Sequence, residues 1–263
     1  MCEIFCFNSN NPKPVNECLE CFYSHSEEHP HGWGLANMQK EESMVDKEPV
    51  KASCSQHLKD ILSNPVVGKN VFAHIRLATV GEIISPNCHP FTEADDNNRS
   101  WMLIHNGTIF DYPELDKYKE KENGNTDSER ILLYIIDKVN QFEAEKGSVS
   151  TIKERFNLLE KIIRDLSKNN KINLMIYDGD LTYIHSNMRD SLYYLKNDDG
   201  FLVASTPLTD EEGWKPVELN KLFGLIDGNI IFESEEHENE FILTAEHKKA
   251  IEYFLNSISD VND

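Results

Sequence analysis

The sequence predicts an α+β fold, in which groups of strands and groups of helices follow one another instead of alternating. Short β-rich segments occupy the first part of the chain, two long helical patterns follow, and strands with hairpin turns dominate the last third. The sequence contains no Gly-x-Gly-x-x-Gly motif and no phosphate-binding loop. A parallel sheet that binds nucleotides is therefore not indicated.

The first predicted strands are apolar. The chain begins MCEIFCF, a stretch rich in strand-forming residues. After a charged, loop-like region over residues 40–55 and a short helical pattern over residues 56–62, two more β-rich segments follow. They are NVFAHIR (residues 70–76) and WMLIHNG (residues 101–107), and their apolar character indicates buried strands.

Two helices are predicted in the middle of the chain. Thr126 and Glu129 fit the capping box S/T-x-x-E directly before apolar residues at helical spacing. A second amphipathic helix is predicted over residues 151–168. Beyond it, DG (178–179) and DGN (227–229) are typical of hairpin turns.

The whole chain is predicted to be a single domain. We assign residues 1–263 to this domain, and within it residues 234–263 to a C-terminal acidic loop and helix. The length is sufficient for one sizeable hydrophobic core.

Composition argues against several classes of partner. The formal net charge of −20 disfavours nucleic acids and anionic membranes, because both attract basic proteins. No segment approaches ~18 consecutive apolar residues, and the N-terminus lacks the pattern of a secretory signal. The six cysteines form no even framework along the chain, so we expect a cytoplasmic protein with reduced thiols.

Cys2 is the first residue that could carry chemistry. Aminopeptidases remove an initiator Met when the second residue is small, which would leave a thiol and an α-amine on one residue. Because α-amines titrate near ~7.7–8.0, part of this amine is neutral near neutral pH and can accept the thiol proton. The alternative is a buried structural cysteine, since Cys is among the most buried residue types.

Arg76 ends a predicted buried strand, where a cation is costly unless it meets an anion. Its guanidinium could hold a carboxylate through two parallel hydrogen bonds, and Thr79 could add a hydroxyl or backbone contact. The alternative is an internal salt bridge with one of the 46 acidic residues.

Three further residues lie at the end of a strand or the start of a helix. Asn106 and Gly107 could form an oxyanion hole from a side-chain amide and a backbone N–H, although Asn-Gly is also a common turn dipeptide. Asp127 is explained by its favourable charge at a helix N-terminus, yet its carboxylate could also bind an ammonium group. Together with a thiolate and a cation, these groups fit glutamine or a γ-glutamyl compound.

Seven segments appear in order over roughly residues 2–232: MCEIFCF, HGWGLA, FAHIRLATVGE, NCHPF, LIHNGTI, GNTDSE and GFLVASTPLTDEEGW. In this order they resemble the class II glutamine amidotransferases, which are N-terminal nucleophile hydrolases with a four-layer αββα sandwich. The chain is most similar to the stand-alone branch, which includes the γ-glutamyl hydrolase of ergothioneine synthesis.

The resemblance implies a mechanism without a cofactor. Cys2 would be the nucleophile and its freed α-amine the base, while Asn106 and the amide of Gly107 would hold the oxyanion. Arg76 and Thr79 would hold the substrate α-carboxylate. The reaction would pass through a γ-glutamyl thioester that water hydrolyses.

Other positions have less direct roles in this resemblance. Asp127 would hold the α-ammonium group, and Trp33 and Gly34 would shape the pocket, with core packing as the alternative role of Trp33. His89 would lie behind the residues that contact the substrate. Relatives often carry Asp where this chain has His31. No acceptor domain follows, so the amide nitrogen would pass to water, to a separate ammonia-accepting synthase chain, or leave as an amine.

Two other classes of protein are compatible with the sequence. If Met1 is retained, Cys2 has no free amine, and a non-catalytic γ-glutamyl-binding or regulatory protein becomes the better interpretation. A metal-binding module is the second alternative, although zinc needs four convergent ligands. Its partly ligand-like residues are Cys2, Cys6, Cys18, Cys21, His25, His29 and His31.

Overall fold

The computed structural model describes residues 2–39 and 43–259, so Met1 and residues 260–263 of the predicted C-terminal segment lie outside the described residues. The strands of the described chain are β1 (Glu3–Pro14), β2 (Trp33–Asn37), β3 (Met44–Glu48), β4 (Val67–Ile75), β5 (Phe91–Ala94), β6 (Ser100–Thr108), β7 (Lys171–Tyr177), β8 (Thr182–His185), β9 (Tyr193–Lys196), β10 (Phe201–Ala204), β11 (Lys215–Pro216), β12 (Leu222–Ile226) and β13 (Asn229–Glu233). The helices are α1 (Asn16–Ser24), α2 (Gln56–Leu62), α3 (Asp127–Lys146), α4 (Ile152–Leu166) and α5 (Ala245–Ser259).

The strands form two antiparallel sheets. The first sheet has the order β11-β9-β10-β1-β4-β2-β3, and the second has the order β13-β12-β8-β7-β6-β5. The N-terminal strand β1 therefore lies inside the first sheet, between β10 and β4. Both of its edges are paired, which explains why the N-terminus is ordered so close to its beginning.

Alternation along β1 shows how the layers are built. Ile4 and Cys6 are buried between the two sheets, whereas Phe5 and Phe7 pack on the opposite face with residues of α1 and α2. The second sheet buries its outer face against α3 and α4. The order of layers is helices, sheet, sheet, helices, which confirms the predicted α+β class and the αββα sandwich.

Helix α1 and strand β3 are among the elements that were missing from the sequence prediction. Helix α1 has only nine residues and no side-chain hydrogen bond at its N-terminus, so it lacks the usual signal of a helix start. Strand β3 lies within the region predicted as a loop, at the edge of the first sheet, where it pairs with β2. Its charged residues are typical of an edge strand.

The start of α3 differs from the predicted capping box. The Thr126 hydroxyl accepts the N–H of Glu129 at 3.2 Å, as predicted. The Glu129 carboxylate does not return to Thr126 but accepts the backbone N–H groups of Asn123 and Gly124, at 2.7 and 2.9 Å. It thereby closes the loop that precedes the helix and brings Asp127 to the end of the second sheet.

The acidic segment after β13 is partly packed, where the sequence indicated a solvated loop. His237 and Phe241 are buried, and their N–H groups donate to the carbonyl oxygens of Asn220 and Asn187 at 3.0 and 2.7 Å. The segment therefore lies against the end of the second sheet before α5 begins. None of the described helices is both long and apolar enough to cross a membrane.

Candidate functional site

Cys2 lies at the start of β1, at one end of the space between the sheets. Its Sγ atom is 3.3 Å from both the amide nitrogen and the carbonyl oxygen of Leu77, which follows β4. The side chain is partly exposed. As a residue, Cys2 is less buried than Cys6 on the same face, which is fully buried and whose thiol pKa is raised by that burial.

Ser205 connects the strand of Cys2 to Asn106. The N–H of Ile4, two residues after Cys2, donates to the Ser205 hydroxyl at 3.0 Å, and the Asn106 side-chain amide donates to the same oxygen at 3.4 Å. The N–H of Ser205 in turn donates to the carbonyl of Ile4 at 3.0 Å. The residue was not singled out from the sequence, although it lies in the segment GFLVASTPLTDEEGW that carries the resemblance.

Lys171 is a buried cation on the other side of Asn106. Its ammonium group donates to Oδ1 of Asn106 at 2.9 Å. Loss of solvation lowers the pKa of Lys171 from 10.5 to about 8, and the nearby Cys2 partly opposes this shift. Nothing in the local sequence NNKINL marks this lysine as a buried residue, so sequence reasoning had no signal for it.

Gly107 lies where only glycine fits. A Cβ atom at this position would be 2.0 Å from the carbonyl oxygen of Lys171 and 2.1 Å from Nε2 of His105. The backbone of β6 is therefore held close to β7 directly beside Asn106. Because Gly107 has no side chain, the residue adds no atoms of its own that would cover its backbone.

Arg76 is buried and holds the loop that follows it. Its guanidinium donates to the carbonyl oxygens of Glu82 and Val80 at 2.9 Å each, and to that of Gly81 at 3.2 Å. Burial lowers the pKa of Arg76, and Cys2 is the first of the nearby groups that oppose the shift. No carboxylate within residues 2–39 and 43–259 forms an ion pair with Arg76, so the internal salt bridge considered from the sequence is not what holds this cation.

Thr79 and Asp127 lie at the same end of the sheets. The hydroxyl oxygens of Thr79 and Thr108 are 3.1 Å apart, and Thr108 donates to the carbonyl of Gly107 at 2.8 Å. Oδ2 of Asp127 accepts the N–H of Ile109 at 2.8 Å. A cavity of about 310 Å³ borders Asp127, Ile109 and the loop held by Arg76.

Gly34, His89 and Trp33, which the resemblance placed around the pocket, have different surroundings. A Cβ atom on Gly34 would be 1.8 Å from the carbonyl oxygen of His89, so these segments are in direct backbone contact. His89 accepts the N–H of His105 at 3.1 Å and supports β6 from behind. Trp33 packs on the helix side of the first sheet, where its indole donates to Glu48 at 3.2 Å, so it lies in the core and not in the pocket.

His31 lies at the same end of the sheets as Cys2 and Arg76. Its Nδ1 atom accepts the N–H of Ala78 at 2.9 Å. Burial and the neighbouring Arg76 lower the pKa of His31, which favours the neutral ring that this acceptor role requires. The imidazole therefore anchors the residue after Leu77, next to the sulfur of Cys2.

The cysteine and histidine residues considered as a metal site do not converge. Cys6 lies between the sheets, Cys18 and Cys21 pack from α1, and His25 lies 2.9 Å from Glu3. In the described part of the chain, no group of three or more His, Cys, Asp or Glu side chains is arranged to hold a metal ion.

Comparisons with known proteins agree with this architecture. The family model "Glutamine amidotransferases class-II" matches residues 1–199. An uncharacterized protein of Methanocaldococcus jannaschii is 28% identical over 260 residues, covering 88% of this chain and 71% of the relative. The chain therefore belongs to the class II glutamine amidotransferases, which confirms the resemblance seen in the sequence.

Solved structures share the fold. The glutamine phosphoribosylpyrophosphate amidotransferase of B. subtilis has a TM-score of 0.61 and 18% identity, covering 89% of this chain and 49% of that one. A "glutamine aminotransferase class-II domain protein" from Silicibacter pomeroyi has a TM-score of 0.59 and 16% identity, covering 90% and 100%. At these identities the similarity establishes the fold alone.

Proposed function

We propose that the protein hydrolyses the γ-amide bond of glutamine or of a γ-glutamyl compound, with Cys2 as the nucleophile. Removal of Met1 frees the α-amine of Cys2, which takes the thiol proton. The thiolate adds to the γ-carbonyl carbon, and Asn106 with the N–H of Gly107 stabilises the oxyanion. The C–N bond then breaks as the α-amine returns its proton to the departing nitrogen. Water adds to the resulting γ-glutamyl thioester, and cleavage of the C–S bond releases glutamate and the thiol.

The observation that carries this proposal is the double role of the Ser205 hydroxyl. It accepts one hydrogen bond from the N–H of Ile4, two residues after Cys2, and another from the side chain of Asn106. Because acyl transfer requires a fixed distance between the nucleophile and the oxyanion donor, a shared anchor is the feature expected of such a site. The partial exposure of Cys2 as a residue supports the same interpretation.

The other end of the substrate is assigned to charged groups. Arg76 and Thr79 bind the α-carboxylate, and Asp127 binds the α-ammonium group. The cavity beside Asp127 supplies space at this end.

The nitrogen released in the first step passes to water or to a separate ammonia-accepting synthase chain. We place the reaction in the cytoplasm, because all six cysteines are free thiols and a reducing compartment keeps them so. A γ-glutamyl substrate would release an amine in place of ammonia by the same bond changes.

The test is the intact mass of the purified protein before and after incubation with 6-diazo-5-oxo-norleucine. We expect loss of Met1 and one covalent adduct on Cys2, together with release of glutamate from glutamine. The variant Cys2→Ala should carry no adduct. Cys54→Ala is the matched control, because Cys54 is the exposed thiol, and it should be labelled once like the wild type.

A non-catalytic binding or regulatory protein would give a different outcome in this experiment. Retention of Met1 together with glutamine binding and no glutamate release would establish a binding or regulatory protein. An adduct on Cys54, or no adduct at all, would overturn the assignment of Cys2 as the nucleophile.

A further inference from the structure

We propose that Lys171 is a positioning residue of the oxyanion hole, which determines the direction in which the amide of Asn106 points. This inference rests on the proposed function of Cys2 and Asn106. Lys171 begins β7 and Asn106 lies on the neighbouring strand β6, and Nζ of Lys171 is 2.9 Å from Oδ1 of Asn106. The two side chains meet on the face of the second sheet that is turned toward the first sheet.

Hydrogen-bond chemistry makes this contact directional. A lysine ammonium carries three donors and no acceptor, whereas a side-chain amide has a donor end and an acceptor end. Of the two ends of the Asn106 amide, only the oxygen can therefore pair with the Lys171 ammonium group, and the NH₂ group points the other way, toward Ser205. If the Asn106 amide were rotated by 180°, its NH₂ group would face the Lys171 ammonium group, and two hydrogen-bond donors would meet in a buried environment. Lys171 thus selects the rotamer in which the donor faces the segment of Cys2.

The burial of Lys171 is costly and calls for an explanation. Its exposed fraction is 2%, and lysine is almost never so buried unless it is paired. Desolvation accordingly lowers the pKa of Lys171 to about 8. A methionine or leucine at this place would avoid that cost but would leave the amide of Asn106 without a defined direction.

The backbone of Lys171 is fixed by the same network that reaches Asp127. The ring of His105 donates from Nε2 to the carbonyl of Lys171 at 3.1 Å, and its Nδ1 atom is 3.0 Å from the hydroxyl of Ser128. That hydroxyl is 3.3 Å from Oδ1 of Asp127. The position of Lys171 is therefore tied to the group assigned to the substrate ammonium, so the two ends of the site share one set of contacts.

A cation on the acceptor end of the amide also affects its donor end. The charge polarises the amide and strengthens the hydrogen bonds that its NH₂ group gives in a low-dielectric environment. The effect is greater when the acceptor is an oxyanion than when it is a neutral carbonyl. Loss of Lys171 should therefore lower kcat more than it raises KM.

The experiment combines kinetics with a double-mutant cycle. We expect Lys171→Met to lower kcat for glutamine hydrolysis about 10- to 100-fold, which is less than the ~10²–10³-fold typical of removing an oxyanion donor, and to change KM less than about threefold. In the Asn106→Ala background, the same substitution should cost no further activity, because Lys171 acts through Asn106. Lys168→Met removes an exposed lysine just before β7 and should leave kcat unchanged.

A second measurement does not depend on turnover. In the wild type, the side-chain ¹⁵N resonance of Asn106 should move with a midpoint near pH 8, and this movement should be lost in Lys171→Met. The wild type could release no glutamate while the Asn106 resonance still moves with the titration of Lys171. In that case the proposed function fails and the positioning role stands. An Asn106 resonance that does not follow Lys171, or kinetic costs of the two substitutions that simply add, would overturn the inference.

Discussion

Nη2 of Arg76 donates a hydrogen bond of 2.9 Å to the carbonyl oxygen of Val80, four residues further along the chain. The cation thus ends strand β4 and closes the loop that follows it. Carbonyl oxygens satisfy hydrogen bonds but do not neutralise a charge, so the guanidinium keeps its positive charge for an anionic ligand. If Arg76 binds the substrate carboxylate as proposed, this bond will relate that binding to the conformation of the loop over residues 80–82.

Arg76→Lys is predicted to raise KM for glutamine at least tenfold, with a smaller effect on kcat. A lysine keeps the charge but cannot reach the carbonyls and a carboxylate together, because it lacks the planar, forked donor set. Hydrogen bonds to charged groups are worth about 1.5–3 kcal/mol each, which corresponds to this change. Steady-state kinetics provide the measurement, and Arg164→Lys, at a more exposed position, is the control. An unchanged KM would remove Arg76 from the substrate site.

Ser205→Ala is predicted to lower kcat about tenfold and the free energy of unfolding by about 1–3 kcal/mol, since it leaves the N–H of Ile4 unpaired and releases Asn106. Ser234→Ala is the matched control, because the Ser234 hydroxyl likewise accepts a backbone N–H, that of Leu222, at 2.9 Å. The Ser234→Ala variant should have a lower free energy of unfolding but an unchanged kcat. Equal kcat values in both variants would show that Ser205 has no part in the reaction.

Gly34→Ala is predicted to destabilise the protein more than Gly147→Ala. A Cβ on Gly34 would be 1.8 Å from the carbonyl of His89, whereas a Cβ on Gly147 meets nothing within 4 Å. Gly147 has a φ of 73°, so its replacement costs only the strain of a left-handed residue, about 1 kcal/mol. The clash at Gly34 requires a backbone shift, for which overpacking costs of ~1–3 kcal/mol or more are typical. Urea unfolding of the two variants measures the difference, and equal midpoints would contradict the close contact.

The stability of the protein is predicted to depend on pH through Lys171. The folded state loses the Lys171 proton near pH 8, whereas the unfolded state holds it up to ~10.4. Between these values folding releases a proton, so the free energy of unfolding of the wild type should rise with pH relative to that of Lys171→Met. The full difference is about 3 kcal/mol for a shift of this size.

Neighbouring groups must be controlled in that experiment. Cys2 and Asn106 lie near the Lys171 ammonium group, His105 contacts the Lys171 carbonyl oxygen, and Cys2 raises the Lys171 pKa. The comparison is therefore made in a Cys2→Ala background, by urea unfolding at several values between pH 7 and ~10.5. Parallel pH profiles of the two proteins would show that Lys171 has no lowered pKa.

Much of the fold could be predicted from local patterns. The helical pattern over residues 56–62 coincides with α2, and the hairpin at residues 178–179 joins β7 and β8. The helix is visible through its apolar periodicity, because one face must be buried, and the hairpin through its Asp-Gly turn dipeptide. Strand β3 escaped prediction because it is an edge strand with charged residues, and such a strand has no apolar pattern to detect.

The candidate site residues could also be recognised in the sequence, because their residue types are unusual at their local positions. A cysteine directly after the initiator and an arginine at the end of an apolar strand stand out from what packing alone requires. The sequence by itself therefore determined the class of the fold and the order of most of its elements, and it singled out Cys2, Arg76 and Asn106 as candidates.

Only the tertiary structure decided how these groups are held. Lys171 is 65 residues from Asn106 in the chain, and Ser205 is 99 residues from it. Neither residue carries a local signal, because each is polar in an otherwise ordinary strand or loop. Their roles arise from antiparallel pairing and from the stacking of two sheets, which bring distant side chains to one buried place where every donor must find an acceptor.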